Sequence, residues 1–533
     1  MSRINAPDSR TNLPRADGDG DGDGERLRRW IQKAIIQCSD RGLFRSAKWL
    51  AEQLVAFSAD QPIAPIHLSM LEQSLGSQPQ LDLDSTHPCF SEYLLARTYF
   101  DLREFDRCSH VLQSCQGKAG GPEHPKMLFL RLYSQLLGGE KRKEEEGLAI
   151  AGPLESQQPN RELGSIYDEL LPMYEADELD GFLLYLFGVV CSKQNAKDLA
   201  RTALIRSVQR YPLNWSAWLE LTSVVDSVSL LDELQTQLPS LNHFTTTAFL
   251  LNLSIELNLL DDKADERIGV LTKLFPESLP NQAAKAMLLY NSQDFERAEV
   301  AFEKLRKADP HSVEFMDTYS HVLFVMKKRA QLSYLAHNAV GIDKYKAETC
   351  CIIANYYSLR DEHERAVLYC KRALKLNRNY IQAFILMGHE MVELKLLQAA
   401  IEAYRRAIDI NEREYRAWYG LGQAYEMLRM PSYAIYYYTK AVTIRPEDGR
   451  FWVALGKCYE ESDRHDDAVR CYKRSLAGID MDPGVLVRLA QYSLSAGDVA
   501  AAARYYKSAV ENDKTKPEDL DEAEQFLSQH RQK

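Results

Sequence analysis

From Glu25 onward the apolar positions recur at three- and four-residue steps, as in Leu27, Trp30, Ile31, Ala34 and Ile35. That spacing places them on one stripe of a helix. No run alternates in twos, so no strand is expected. Short breaks separate the helices, among them Asp40-Arg41-Gly42, Pro122-Glu123 and Arg429-Met430-Pro431. The pattern predicts an all-α chain of helical hairpins. Two stretches depart from it. Residues 1–25 hold Asp, Gly, Pro and Ser with almost nothing bulky and apolar, and are expected to form a disordered acidic tail. Residues 138–165 are charged and read as an insertion between helices.

A second period lies over the first. Trp418 and Trp452 are 34 residues apart, and so are Gly422 and Gly456, Tyr425 and Tyr459, Ala434 and Ala468, and Tyr438 and Tyr472. Trp418, Leu421, Gly422, Tyr425, Ala434, Tyr438, Ala441 and Pro446 follow the tetratricopeptide pattern closely. The frame runs without a slip through eight units, their leading positions Ala248, Gln282, Met316, Cys350, Phe384, Trp418, Trp452 and Leu486. The small residue opening the second helix is alanine in all but one unit, including Ala400, Ala434 and Ala468, with Leu332 the exception. Gly388, Gly422 and Gly456, with Trp418 and Trp452, are expected to pack the two helices of a repeat together.

The expected fold is therefore an all-α tetratricopeptide-repeat superhelical solenoid. Residues 26–180 form divergent N-terminal repeats, 181–247 intermediate repeats, 248–515 the eight units in register, and 516–533 a capping helix or tail. An array of this extent leaves no room for a separate catalytic domain.

On each first helix, consensus positions 2, 5, 9 and 12 share one face, the face expected to line a concave groove. They read Glu314, Asp317 and His321, then Glu348, Cys351, Asn355 and Ser358. Gln382 and His389 follow with Glu390 beside them, then Arg416, Tyr419, Gln423 and Glu426, and last Arg450 and Lys457. The middle of this face is acidic and amide-rich, which suits a peptide bearing arginine. Asn355 and Glu390 sit among apolar neighbours, where a polar group needs a partner.

Other chemistry finds little footing. The net charge is −11, against broad nucleic-acid or anionic-membrane binding. The longest apolar run, near residues 181–190, is short of a membrane span. The ten cysteines contain no C-x-x-C pair and read as small buried apolar residues in a reducing compartment. Residues 17–22, Asp-Gly-Asp-Gly-Asp-Gly, start like a calcium loop, but Arg28 or Trp30 stands where its glutamate belongs. Gly420-Leu421-Gly422 follows no strand and continues as Gln423-Ala424-Tyr425, so it cradles no phosphate. His389-Glu390 lacks the second histidine of a zinc helix. No metal or cofactor is expected.

Residues 348–377 and 415–441 closely resemble subunit eight of the anaphase-promoting complex or cyclosome, the cell-division-cycle twenty-three family, and Cys38–Phe44 and Ser46–Leu54 resemble that family's N-terminal signals. The resemblance runs from about residue 26 to residue 510. It implies a non-catalytic scaffold of a cell-cycle ubiquitin ligase, located in nucleus and cytoplasm. Its partners would be other tetratricopeptide subunits, activator proteins, and a second copy held through the N-terminal repeats. It also implies that Asn355 and Glu390 receive an arginine-containing activator motif, with Glu348, Gln382, His389, Tyr419, Gln423 and Glu426 around them. The alternative is a co-chaperone-type adaptor or another protein-interaction scaffold. A carboxylate clamp of that kind needs Lys and Asn, whereas Cys351 and an acidic face stand here.

Overall fold

The structure is a computed structural model and describes residues 23–57, 83, 87–115, 123–150, 160–225, 238, 243–257, 262–476, 483–495 and 497–512. Among the described residues there are 25 α-helices and no strand. They fall into two compact units, the first ending at Gln293 and the second beginning at Asp294.

The first unit opens with α1 (Asp23–Asp40), α2 (Phe44–Val55), α3 (Phe90–Asp101) and α4 (Phe105–Gln113). It continues with α5 (Pro125–Ile150), α6 (Leu163–Glu175), α7 (Gly181–Lys193) and α8 (Lys197–Arg210). It closes with α9 (Trp215–Val224), α10 (Phe244–Glu256), α11 (Asp262–Leu274) and α12 (Leu279–Asn291). The second unit pairs α13 (Phe295–Ala308), α14 (Met316–Val325) with α15 (Arg329–Ile342), and α16 (Ala347–Ser358) with α17 (His363–Leu376). Then come α18 (Ile381–Glu393) with α19 (Leu397–Ile410) and α20 (Tyr415–Met427) with α21 (Pro431–Ile444). Last are α22 (Gly449–Glu461) with α23 (His465–Ser475) and α24 (Pro483–Ser495) with α25 (Val499–Asn512).

Helix α13 shows how the sequence builds such an element. Asp294 caps it, its carboxylate accepting from the Arg297 amide at 3.1 Å. Ala298, Phe302 and Leu305 form its buried stripe. Burying Phe302 contributes about 1.5–3 kcal/mol.

The two helices of a repeat meet at glycine. A Cβ on Gly388, Gly422 or Gly456 would come within 2.5, 2.4 or 2.6 Å of the ring of Tyr404, Tyr438 or Tyr472 on the partner helix. Ala400, Ala434 and Ala468 are fully buried beside these contacts. Trp418 and Trp452 have a different task from packing on glycine. Each indole Nε1 donates to a carbonyl six residues earlier, on Glu412 at 2.8 Å and on Pro446 at 2.7 Å, and Trp218 does the same to Pro212. These bonds tie the entry turn to the first helix.

The turns inside the repeats share a left-handed residue at the same register. Gln293, Lys327, Asp361, Lys395, Arg429, Asp463 and Gly497 all have positive φ, and only the last is glycine. The left-handed residue lets the next amide reach back; Glu362 N, for example, donates to Tyr357 O at 3.0 Å.

Three sequence expectations change. The tail expected over residues 1–25 gives way to helix at Asp23, where α1 begins; residues 1–22, with Asp-Gly-Asp-Gly-Asp-Gly at 17–22, lie outside the described residues. The stretch 138–165 opens within a helix, since α5 continues to Ile150 before residues 151–159 fall outside the described ones. No boundary at residue 180 separates the N-terminal repeats, because α2 packs on α9 and α12. Trp49 stacks on Trp215 at 4.1 Å, Ser46 Oγ donates to Asn214 Oδ1 at 3.1 Å, and Gln53 Nε2 donates to Asn281 Oδ1 at 3.4 Å. Residues 516–533 are not among those described.

Candidate functional site

Successive first helices of the second unit pack side by side, α14 on α16, α16 on α18, and α18 on α20. The residues singled out from sequence therefore lie on neighbouring helices, but they do not share one environment. Asn355 and Glu390 are 4% and 3% exposed, whereas Glu348, Gln382, His389, Tyr419, Gln423 and Glu426 are half-buried.

Asn355 is anchored by one end of its amide. Its Nδ2 donates to Ser320 Oγ on α14 at 2.7 Å. Its Oδ1 is buried without a hydrogen-bond partner. A buried acceptor left open costs about 1–3 kcal/mol.

Glu390 is held from two sides. Ser358 Oγ donates to Oε1 at 2.6 Å, and His363 Nδ1 lies 2.8 Å from Oε2. Burial raises its pKa, and the Ser358 and His363 contacts pull partly the other way. A carboxylate has about four lone-pair sites, so both oxygens can still accept. At the start of the same helix, Tyr380 donates its hydroxyl to Asp317 of α14 at 2.6 Å.

Two histidines further along this face, His389 and His321, are held toward the neutral form. Burial and the nearby Arg416 guanidinium lower His389 to about 4, and burial, Arg416 and His389 lower His321 to about 3. The Tyr404 hydroxyl lies 2.8 Å from His389 Nδ1. Arg416 is itself engaged, its guanidinium donating to Glu414 at 2.7 and 3.0 Å. Glu426 is committed within its repeat, accepting from the Tyr438 hydroxyl at 2.5 Å. Tyr419 lies on Phe451 at 4.9 Å between ring centroids.

The geometry thus sorts the eight groove candidates. Asn355 and Glu390 offer deep acceptors, Glu348 and Gln382 are half-buried polar groups on the same helices and Gln423 one on α20, and Glu426, His389 and Tyr419 chiefly hold neighbouring side chains. Such acceptors fit a planar cation with several N–H donors. Sequence reading missed Ser320 and His363, which position Asn355 and Glu390. His363 opens a second helix, outside the positions scanned for the groove.

Gly420 also finds its reason here. A Cβ on it would lie 2.5 Å from the Tyr404 ring, so Tyr404 is received by Gly388 of its own repeat and Gly420 of the next. The close neighbour that requires a glycine here is this chain's own tyrosine.

All ten cysteines are buried and unpaired by disulfides, and burial raises those that shift, Cys351 and Cys370 strongly. Raised thiols are poor nucleophiles at neutral pH. Among the described residues no group of His, Cys, Asp and Glu could hold a metal ion, and no helix is long and apolar enough to cross a membrane.

Comparison with known proteins matches residues 26–286 to the family described as anaphase promoting complex subunit 8 / Cdc23. Tetratricopeptide models match residues 347–380, 388–428, 415–448 and 453–517. An Arabidopsis thaliana relative, anaphase-promoting complex subunit 8, is 40% identical over 389 residues, 68% of this chain and 65% of that protein. The Dictyostelium discoideum subunit 8 is 36% identical over 69% of this chain and 68% of its own length. The Saccharomyces cerevisiae subunit CDC23 is 33% identical over 70% of each. The chain thus spans about two thirds of the length of these relatives.

Proposed function

The chain belongs to the anaphase-promoting complex subunit 8 / Cdc23 family, and from that premise we propose that it is a non-catalytic scaffold subunit of this complex, a cell-cycle ubiquitin ligase, acting in nucleus and cytoplasm. Its repeats bind neighbouring tetratricopeptide subunits, its N-terminal repeats hold a second copy, and its first-helix face receives an arginine-containing segment of an activator protein. The observation that carries the last point is the pair of buried acceptors, Asn355 Oδ1 without a partner and the Glu390 carboxylate preset by Ser358 and His363.

The guanidinium is favoured over an ammonium because its flat fork can donate to a carboxylate and a neighbouring amide oxygen together. A co-chaperone reading fits the face less well. Its ligand is a carboxylate, and the first helices α14, α16 and α18 carry acidic residues with no Lys or Arg among them.

Calorimetry of the protein with a synthetic arginine-bearing activator peptide tests the reading. Glu390→Ala is expected to weaken binding by about 2 kcal/mol or more. Unchanged affinity would remove Glu390 from the site.

A further inference from the structure

The second helices α13, α15 and α17, beside the acceptor-bearing first helices in sequence, have an unusual outer side. Val300, Tyr334 and Leu368 stand two residues after Ala298, Leu332 and Ala366, the residues that open the packed stripe of α13, α15 and α17. They point away from that stripe and are 70%, 61% and 64% exposed. A single exposed leucine says little, but three large apolar side chains in one register on successive repeats form a row.

A polar row, basic at both ends, runs beside it. Four residues further along each helix stand Lys304, Asn338 and Arg372, with Lys307, Lys371 and Lys375 exposed nearby. The Arg306 guanidinium lies over the Tyr334 ring at 5.1 Å, and that of Arg372 over Tyr345 at 5.4 Å. Helices α13, α15 and α17 together carry nine Lys and Arg against four Asp and Glu, in a chain whose net charge is −11. The first helices α14, α16 and α18 carry four acidic residues and no Lys or Arg. Charge is thus uneven among these six helices, acidic on α14, α16 and α18 and basic on α13, α15 and α17.

Helix ends favour cations at their C-termini, which accounts for part of the basic row. It does not account for the apolar row, whose exposure costs the isolated chain solubility without improving its core.

We propose that the outer side of α13, α15 and α17 is a docking surface for an acidic segment of another protein that carries apolar side chains. The apolar row buries those side chains, and the basic row sets the sign of the charge between them. This surface is independent of the arginine-receiving face, which lies on the first helices.

The test uses the full chain and a labelled peptide of five Leu-Glu-Glu repeats, with a Leu-Lys-Lys peptide as control, read by fluorescence anisotropy. The acidic peptide is expected to bind and to weaken as salt rises toward physiological strength. Leu368→Ser is expected to lower affinity about tenfold, a typical cost for a central contact. Lys371→Glu with Lys375→Glu is expected to lower it by a similar factor, while Glu390→Ala leaves it unchanged. Every substituted residue here except Glu390 is exposed, so circular dichroism should match the parent. Failure of the acidic peptide to bind, equal binding of the basic one, or indifference to both sets of surface changes would each overturn the proposal.

Discussion

Glu390 places a carboxylate where the fold would rather hold a neutral group. Its folded pKa is raised by burial. The protonated form therefore folds better than the ionised one. The penalty is absent below the ordinary carboxylate range and complete above the raised value. Glu390→Gln is accordingly expected to raise the urea midpoint at pH 7, with the gain vanishing near pH 4, while weakening arginine-peptide binding. An equal or lower midpoint at pH 7 would show that the Ser358 and His363 contacts outweigh desolvation. His389 works in the other direction. Its pKa is lowered to about 4, so the unfolded chain binds its proton first as pH falls. Stability is lost progressively from about pH 6.5 toward 4. His389→Gln is expected to flatten that part of the stability–pH curve, measured by urea denaturation.

The glycines bear on the element scale, because each marks where two helices touch. Gly420→Ala must displace the buried Tyr404 ring, and an overpacked core typically loses about 1–3 kcal/mol. Better helix propensity offsets at most about 1 kcal/mol. Gly420→Ala is therefore expected to destabilise the chain in urea, and a stabilised variant would show that the ring swings aside freely. Much at this scale was legible in the sequence, since helices and turns recur with the 34-residue frame from Ala248 to Leu486. The glycine contacts were not. The frame marks Gly422 as small, but its partner Tyr438 lies on the other helix of the repeat, and Gly420 answers to Tyr404 of the repeat before. The same holds for Glu390. Its apolar surroundings signalled a need for partners, but Ser358 and His363 come from α16 and α17, and nothing in the local pattern names them.

At the scale of the molecule, the first unit is held by contacts that sequence spacing does not show. Ser46 meets Asn214 across 168 residues, and Gln53 meets Asn281 across 228. These bonds set the smallest piece fit for an association experiment. A fragment of residues 26–180 would strip α2 of Trp215, Asn214 and Asn281, so a dimerisation fragment must extend to Gln293. Such a fragment is expected to be dimeric by light scattering at micromolar concentration, and a monomer would sink the self-association proposed for the N-terminal repeats.

The central claim is membership of a working anaphase-promoting complex as a scaffold. Affinity purification of the tagged full chain from cells that express it, with quantitative mass spectrometry, tests that most directly. Other subunits of the complex are expected in near-stoichiometric amounts, including further tetratricopeptide subunits. Recovery of chaperones without those subunits, or of the chain alone, would contradict it.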